Sequence, residues 1–273
     1  MNLFRQELHF HAVRAVRVLR NPQHYRAAAA VALISLSTSP SYALSTSLAP
    51  GQNFNLSNFT LQLPTGSPGN PDTVSQPALT TYQDSGHQYF FTSATDGSMI
   101  MKVYGDPSTS GCVTTPNSTH CRTELRENGS WSPTAATNRM KATVVVTAIA
   151  NASVVIGQIH INDSISTKPV MELYYESNGD LVAGVEINRD GSGGQTHTTV
   201  GHVPIGTKFA YEIEYYSGGL KVAIAPDLNS FSGHFTTLSQ NNLNNPSSYF
   251  KAGCYDQGTG LADVHFWTLT IEH

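Results

Sequence analysis

Charge is scarce in this chain. Only 12% of its 273 residues are Asp, Glu, Lys or Arg, a composition that suits an all-β extracellular protein better than a helical one. Helical periodicity is missing after residue 44. No apolar run reaches the roughly 18 residues that a membrane-spanning helix needs. Cysteine is limited to three residues, which leaves no room for a dense disulfide framework. No zinc motif, phosphate-binding loop or nucleic-acid signature is present. The eleven His fall at no metal-ligand spacing. These absences exclude several function classes and leave neither metal nor cofactor to be expected.

Residues 1–43 stand apart from the rest. They carry Arg5, Arg14, Arg17, Arg20 and Arg26 against a single acid, Glu7. An apolar stretch over residues 27–37 follows, then Ser41-Tyr42-Ala43 with small residues at the usual cleavage spacing. This is the pattern of a secretory leader cut near Ala43, leaving one domain over 44–273. Removing five Arg and one Glu leaves ten cations against eighteen acids, a net charge of −8.

Over 44–273, short β-branched and aromatic runs alternate with Gly, Asn, Asp and Pro. Strands are predicted at 87–92, 99–104, 140–150, 154–162, 170–176, 181–187, 208–216, 220–225, 249–255 and 264–271. Hairpin turns are predicted at Ser177-Asn-Gly-Asp180 and Ser217-Gly-Gly219. Residues 65–77, 105–119 and 226–247 read as loops, and 188–199 as a loop able to cover a groove. Ten or more strands in one domain predict a jelly-roll sandwich of two antiparallel sheets, one of them concave. In an oxidising compartment Cys112 and Cys121 are placed to close a small loop just before Arg122, and Cys254 is left as a buried thiol.

Three segments carry the chemistry. Successive side chains of a strand point to opposite faces. In Arg122-Thr-Glu-Leu-Arg126, one face then holds Arg122, Glu124 and Arg126. In Gln158-Ile-His160 it holds Gln158 and His160, with Asn162 next on that face. In the segment from Tyr249 to Gln257 it holds Lys251, Tyr255 and Gln257, with Phe250, Ala252 and Cys254 behind. If these polar faces are neighbours, they line one cationic, proton-transferring groove.

The same segments, read as RTELR, QIH and YFKAGCYDQ, resemble the three signature blocks of the alginate lyases of polysaccharide lyase family 7. Asn58-Phe-Thr-Leu-Gln-Leu-Pro64 resembles the segment that opens that family's catalytic domain. The likeness spans about residues 44–273 and implies a β-jelly roll and endo-type β-elimination on alginate. It implies Arg122, Gln158, His160 and Tyr255 as the catalytic set, with Glu124, Arg126 and Lys251 in the substrate groove. Ile159, central in its block, accompanies guluronate or mixed acceptance in the family.

The residue types fit that chemistry independently. A uronate cut without water loses its C5 proton, and its 4-O-linked neighbour leaves. Arg122 can bind the carboxylate in a bidentate fashion, and Gln158 adds a neutral donor. His160 is the candidate base and Tyr255 the candidate acid. Gln257 and Asn162 join the expected substrate-binding set by strand alternation. The expected partner is an acidic polysaccharide, met by a secreted monomer without nucleic acid or membrane. A lyase for another polyuronate such as glucuronan, or a non-catalytic carbohydrate-binding sandwich, remains the alternative. A hydrolase would need two carboxylates across the scissile bond. The nearest-spaced pairs, Glu212/Glu214 and Glu172/Glu176, are not expected near the basic segments.

Overall fold

Alternation of apolar and polar residues sets the two faces of nearly every central strand. The computed structural model describes residues 43–273, so the expected leader lies outside the described residues. Fifteen strands are present: β1 Phe59–Ser67, β2 Asn70–Val74, β3 Phe90–Thr92, β4 Met99–Tyr104, β5 Arg122–Glu127, β6 Arg139–Ile149, β7 Ser153–Ile161, β8 Pro169–Glu176, β9 Asp180–Glu186, β10 Gln195–His202, β11 Phe209–Tyr216, β12 Gly219–Ala225, β13 Phe235–Leu238, β14 Ser248–Asp256 and β15 Leu261–Glu272. They form an eight-stranded sheet in the order β10-β9-β8-β7-β14-β5-β1-β2, and a seven-stranded sheet in the order β13-β12-β11-β6-β15-β4-β3. The result is the two-sheet antiparallel jelly-roll sandwich that the strand pattern predicts.

One crossover positions the site. Strand β14 enters the first sheet between β7 and β5, pairing antiparallel with both. The three chemistry-bearing segments, distant in sequence, become adjacent strands. Phe250, Ala252 and Cys254 turn to the core and are fully buried. Tyr249, Lys251 and Tyr255 therefore face the other way.

A bulge in β7 tunes this face. Pairing slips between Val155 and Gly157 against both β8 and β14. A bulge takes a residue out of the regular ladder. Here the Ile156 carbonyl accepts a hydrogen bond, 2.9 Å long, from the hydroxyl of Tyr211 on the opposite sheet. Burial pushes the Tyr211 phenol up, so the donor keeps its proton. Gly157 makes room for this approach. A Cβ there would sit 3.0 Å from both Ile213 and the Tyr211 hydroxyl.

The far end of β5 is fastened by Glu127. Its buried carboxylate accepts from the Trp131 indole at 2.9 Å and from the Phe250 backbone at 2.8 Å. The His273 imidazole meets the same carboxylate at 2.6 Å. At the near end, Cys112 and Cys121 are bridged, with Cα atoms 6.2 Å apart, and Cys254 is free and buried.

Three stretches differ from expectation. Residues 65–77, 188–199 and 226–247, read as loops, contain β2, much of β10 and β13. All three are edge strands, mostly exposed. Few of their side chains enter the core, so the apolar alternation that marks a strand is weak. The stretch expected to cover a groove is a turn followed by β10, which continues the groove sheet.

Thiol titration of the denatured, unreduced protein should find one reactive thiol, Cys254. Three would show that the bridge does not form in solution.

Candidate active site

The concave face of the eight-stranded sheet holds one long cavity, lined from Gln62 on β1 to Glu186 on β9. It crosses six adjacent strands, roughly 24 Å at the usual strand spacing. Arg122, Arg126, Lys168 and Lys251 all line it. These are four of the ten cations in residues 44–273, so the basic groups of an acidic domain converge on one surface.

At its centre lies the carboxylate of Glu124, 1% exposed. It accepts from the Gln158 amide and the Lys251 ammonium, and from Arg122 at 3.4 Å. Burial pushes Glu124 up, but Lys251, Arg122 and the hydrogen bonds outweigh this and hold it below the ordinary carboxylate range. Glu124 thus fixes three donors, one from each of β5, β7 and β14, and stays ionised. Lys251 is pushed down to about 8 by burial, with Glu124 opposing that shift.

His160 lies in the cavity wall, its ring stacked on Tyr249 at 5.1 Å between centroids. Its Nδ1 donates to the Ile161 carbonyl at 2.8 Å. In the neutral ring this leaves Nε2 with the lone pair. Burial, then Lys251, lowers the imidazole to about 4, so it is unprotonated at neutral pH. Tyr255 lies under Arg122, whose guanidinium carbon is 3.6 Å from the ring centroid. The Tyr255 hydroxyl is 3.1 Å from the Ser118 hydroxyl, which also accepts from Arg122 at 3.1 Å. Ser118 belongs to the loop closed by the Cys112–Cys121 bridge.

Of the residues expected from sequence, Arg122, Arg126, Gln158, His160, Lys251 and Tyr255 line the cavity, with Glu124 beneath them. Gln257 and Asn162 do not line it. Gln257 lies past the end of β14, and its amide folds back to the Tyr255 carbonyl at 3.3 Å. Asn162 lies past the end of β7, where its side-chain oxygen accepts from the Ser164 backbone at 2.9 Å in a local turn. Glu212 and Glu214 are on β11 in the other sheet, paired with Lys141, Arg139 and Lys221. Glu172 corrects an expectation: on β8 it is the direct register partner of Gln158 on β7, and it lines the cavity.

Tyr249 and Asp163 are among the further cavity residues that escaped the sequence reading. Tyr249 alternates with Lys251 on the same strand face, so the period of two could have found it. Its hydroxyl donates to Asp163 at 2.8 Å, and Arg126 lies 4.1 Å over its ring. Asp163 in turn holds Arg126 at 2.8 Å. Asp163 sits in the turn after β7, where no strand alternation applies.

The family model described as "Alginate lyase" matches residues 54–273. The chain belongs to the alginate lyase family. Among solved structures, alginate lyase A1-II′ of polysaccharide lyase family 7, a Tyr-to-Phe variant in complex with product, is 27% identical, with a TM-score of 0.69 over 83% of this chain and 99% of that one. Alginate lyase PA1167 from Pseudomonas aeruginosa is 27% identical, with a TM-score of 0.66 over 80% of this chain and 99% of that one. The alginate lyase from Corynebacterium sp. is 25% identical, with a TM-score of 0.66 over 82% and 97%. Among curated proteins, no match was found.

The ionisations give a family-type site a defined pH window. Below about pH 4 His160 gains a proton and loses its free lone pair. Above about pH 8 Lys251 loses its charge, and an anionic polymer loses a partner. A pH–rate profile should therefore show kcat/KM falling on the alkaline side through a rise in KM. Lys251→Arg should move that limb upward, because a guanidinium stays charged. An unmoved limb would assign it to another group.

Proposed function

We propose that this enzyme cleaves alginate within the chain by β-elimination, with Arg122, Gln158, His160 and Tyr255 as the catalytic set. The observation that carries the reading is the company of an unprotonated imidazole and a phenol in a cavity whose floor is a fixed cluster of cationic and amide donors. The uronate carboxylate is neutralised by Arg122 and Gln158, which Glu124 holds in place. That neutralisation makes the C5 proton acidic enough to remove, and the same donors stabilise the enolate-like intermediate. The C5–H bond breaks and the proton passes to the base. The electron pair forms the C4–C5 double bond as the C4–O bond breaks. Tyr255 supplies the proton to the leaving oxygen.

His160 offers Nε2 as base for guluronate, whose C5 proton lies across the ring from the leaving oxygen. In mannuronate both lie on one side, where Tyr255 can serve as base and then acid. Arg126, Lys251 and Tyr249 bind the flanking sugars. The family relative determined with its substrate, GGMG, carries a His-to-Asn and a Tyr-to-Phe substitution, the same two residue types given these roles here. A hydrolase reading is disfavoured, because Glu172 and Glu186 share one wall instead of facing each other across a bond. The basic and apolar N-terminal pattern, the Cys112–Cys121 bridge and a polymeric substrate together support secretion.

Incubation with polymannuronate, polyguluronate and glucuronan, followed by near-ultraviolet absorbance and product size, tests the reaction. Alginate blocks should give unsaturated oligosaccharides of mixed length from the start; saturated products would overturn the lyase reading. Tyr255→Phe should lower kcat by about 10²–10⁴ on both block types with the fold intact. His160→Ala should impair polyguluronate cleavage more than polymannuronate cleavage. Near-normal turnover in Tyr255→Phe would remove Tyr255 from the acid's role.

A further inference from the structure

The cavity changes character along its length. Past Gln158, the strand order places Glu172 on β8 and then Glu186 on β9 in the same wall. Both are buried, at 8% and 6% exposure. One Glu172 oxygen accepts from the Tyr174 hydroxyl at 2.6 Å and from the Gln195 amide at 2.8 Å. The same amide nitrogen lies 3.4 Å from one oxygen of Glu186. The other Glu186 oxygen is buried and has no partner. A buried acceptor without a donor is unfavourable unless something binds there.

A 4-linked uronate brings few groups to such a place. Its carboxylate is excluded by like charge. Its O1 and O4 are committed to linkages and carry no proton. The only donors left are the O2 and O3 hydroxyls, which are adjacent and can donate together to a carboxylate wall. We propose that Glu172 and Glu186 form a subsite that binds the vicinal O2–O3 hydroxyl pair of a uronate, and that the enzyme therefore discriminates against residues acylated at these oxygens. An ester at O2 or O3 has lost the donor and is bulkier, so it leaves the buried acceptors unpaired. Lys168, on the same stretch of wall, is available to the carboxylate of that sugar. The proposal rests on the lyase reading for its polymer and adds which part of the sugar this end of the cavity reads. Burial, then the neighbouring Glu172, raises the Glu186 carboxyl above its ordinary range with Gln195 opposing; a hydroxyl donated to the unpaired oxygen would lower it again.

The test compares chemically O-acetylated polymannuronate with the same polymer after alkaline deacetylation. The wild-type enzyme should show kcat/KM at least about tenfold lower on the acetylated form. Glu186→Ala should raise KM on the free polymer about tenfold with kcat little changed, and should shrink the discrimination to a few-fold. Glu186→Gln, which keeps an acceptor oxygen, should fall between, and a normal circular dichroism spectrum separates these effects from misfolding. Discrimination that is absent in the wild type, or equal in Glu186→Ala, overturns the subsite. Calorimetric binding of trimannuronate and its acetylated form makes the same comparison without turnover. If neither polymer yields double bonds, the lyase reading fails and the binding comparison still decides this one. Calcium bound alone by the wild type and lost in Glu186→Ala would make the pair a cation site and overturn the hydroxyl assignment.

Discussion

The buried carboxylate of Glu124 is the constraint on which the groove depends. Three donors from three strands end on it, and none has another carboxylate as close. A single carboxylate cannot neutralise both Arg122 and Lys251, so the cluster keeps a net positive charge facing the cavity. Removing one partner of a buried ion cluster typically costs about 3–5 kcal/mol, because the remaining charges are left uncompensated. At this site the loss would also free Arg122, Gln158 and Lys251 from a common geometry. Folding and substrate positioning therefore rest on the same side chain, and its role is to orient others.

The sheet around that carboxylate is held from both sides. Tyr211 reaches across the core to the Ile156 carbonyl at the β7 bulge. Glu127 ties the last turn of β5 to the backbone of β14 and to His273. Each contact satisfies a buried polar group while fixing the relative height of two strands. Side chains on the concave face inherit that height, which is why irregular pairing in β7 and β14 coexists with a well-defined donor cluster.

Much of this was legible in the sequence. The polar faces of β5, β7 and β14 follow from a period of two, and their residues name the chemistry. What alternation could not give is where a strand stops. Gln257 and Asn162 were both reached by carrying the period one position past the last paired residue. The Asn-Asp-Ser run at 162–164 was the stop signal, since such residues fold the chain back on their own side chains. Glu172 was missed for a different reason. Its own strand was predicted, but not that this strand sits beside Gln158, although strands joined by a short connection usually pair. The edge strands β2, β10 and β13 were invisible because exposure removes the apolar pattern.

Four of ten cations lie in one cavity, so the rest of the domain surface is strongly acidic. A polyanion approaching from solution meets a repulsive field first and an attractive one only at close range. Dissolved salt acts unequally on these two fields. It screens exposed charges beyond a length of about 8–10 Å at moderate ionic strength, and buried contacts much less. Modest salt should thus quicken encounter with the polymer, and only higher concentrations should weaken its hold. The same acidic exterior would hasten the departure of each new fragment, which is itself an anion.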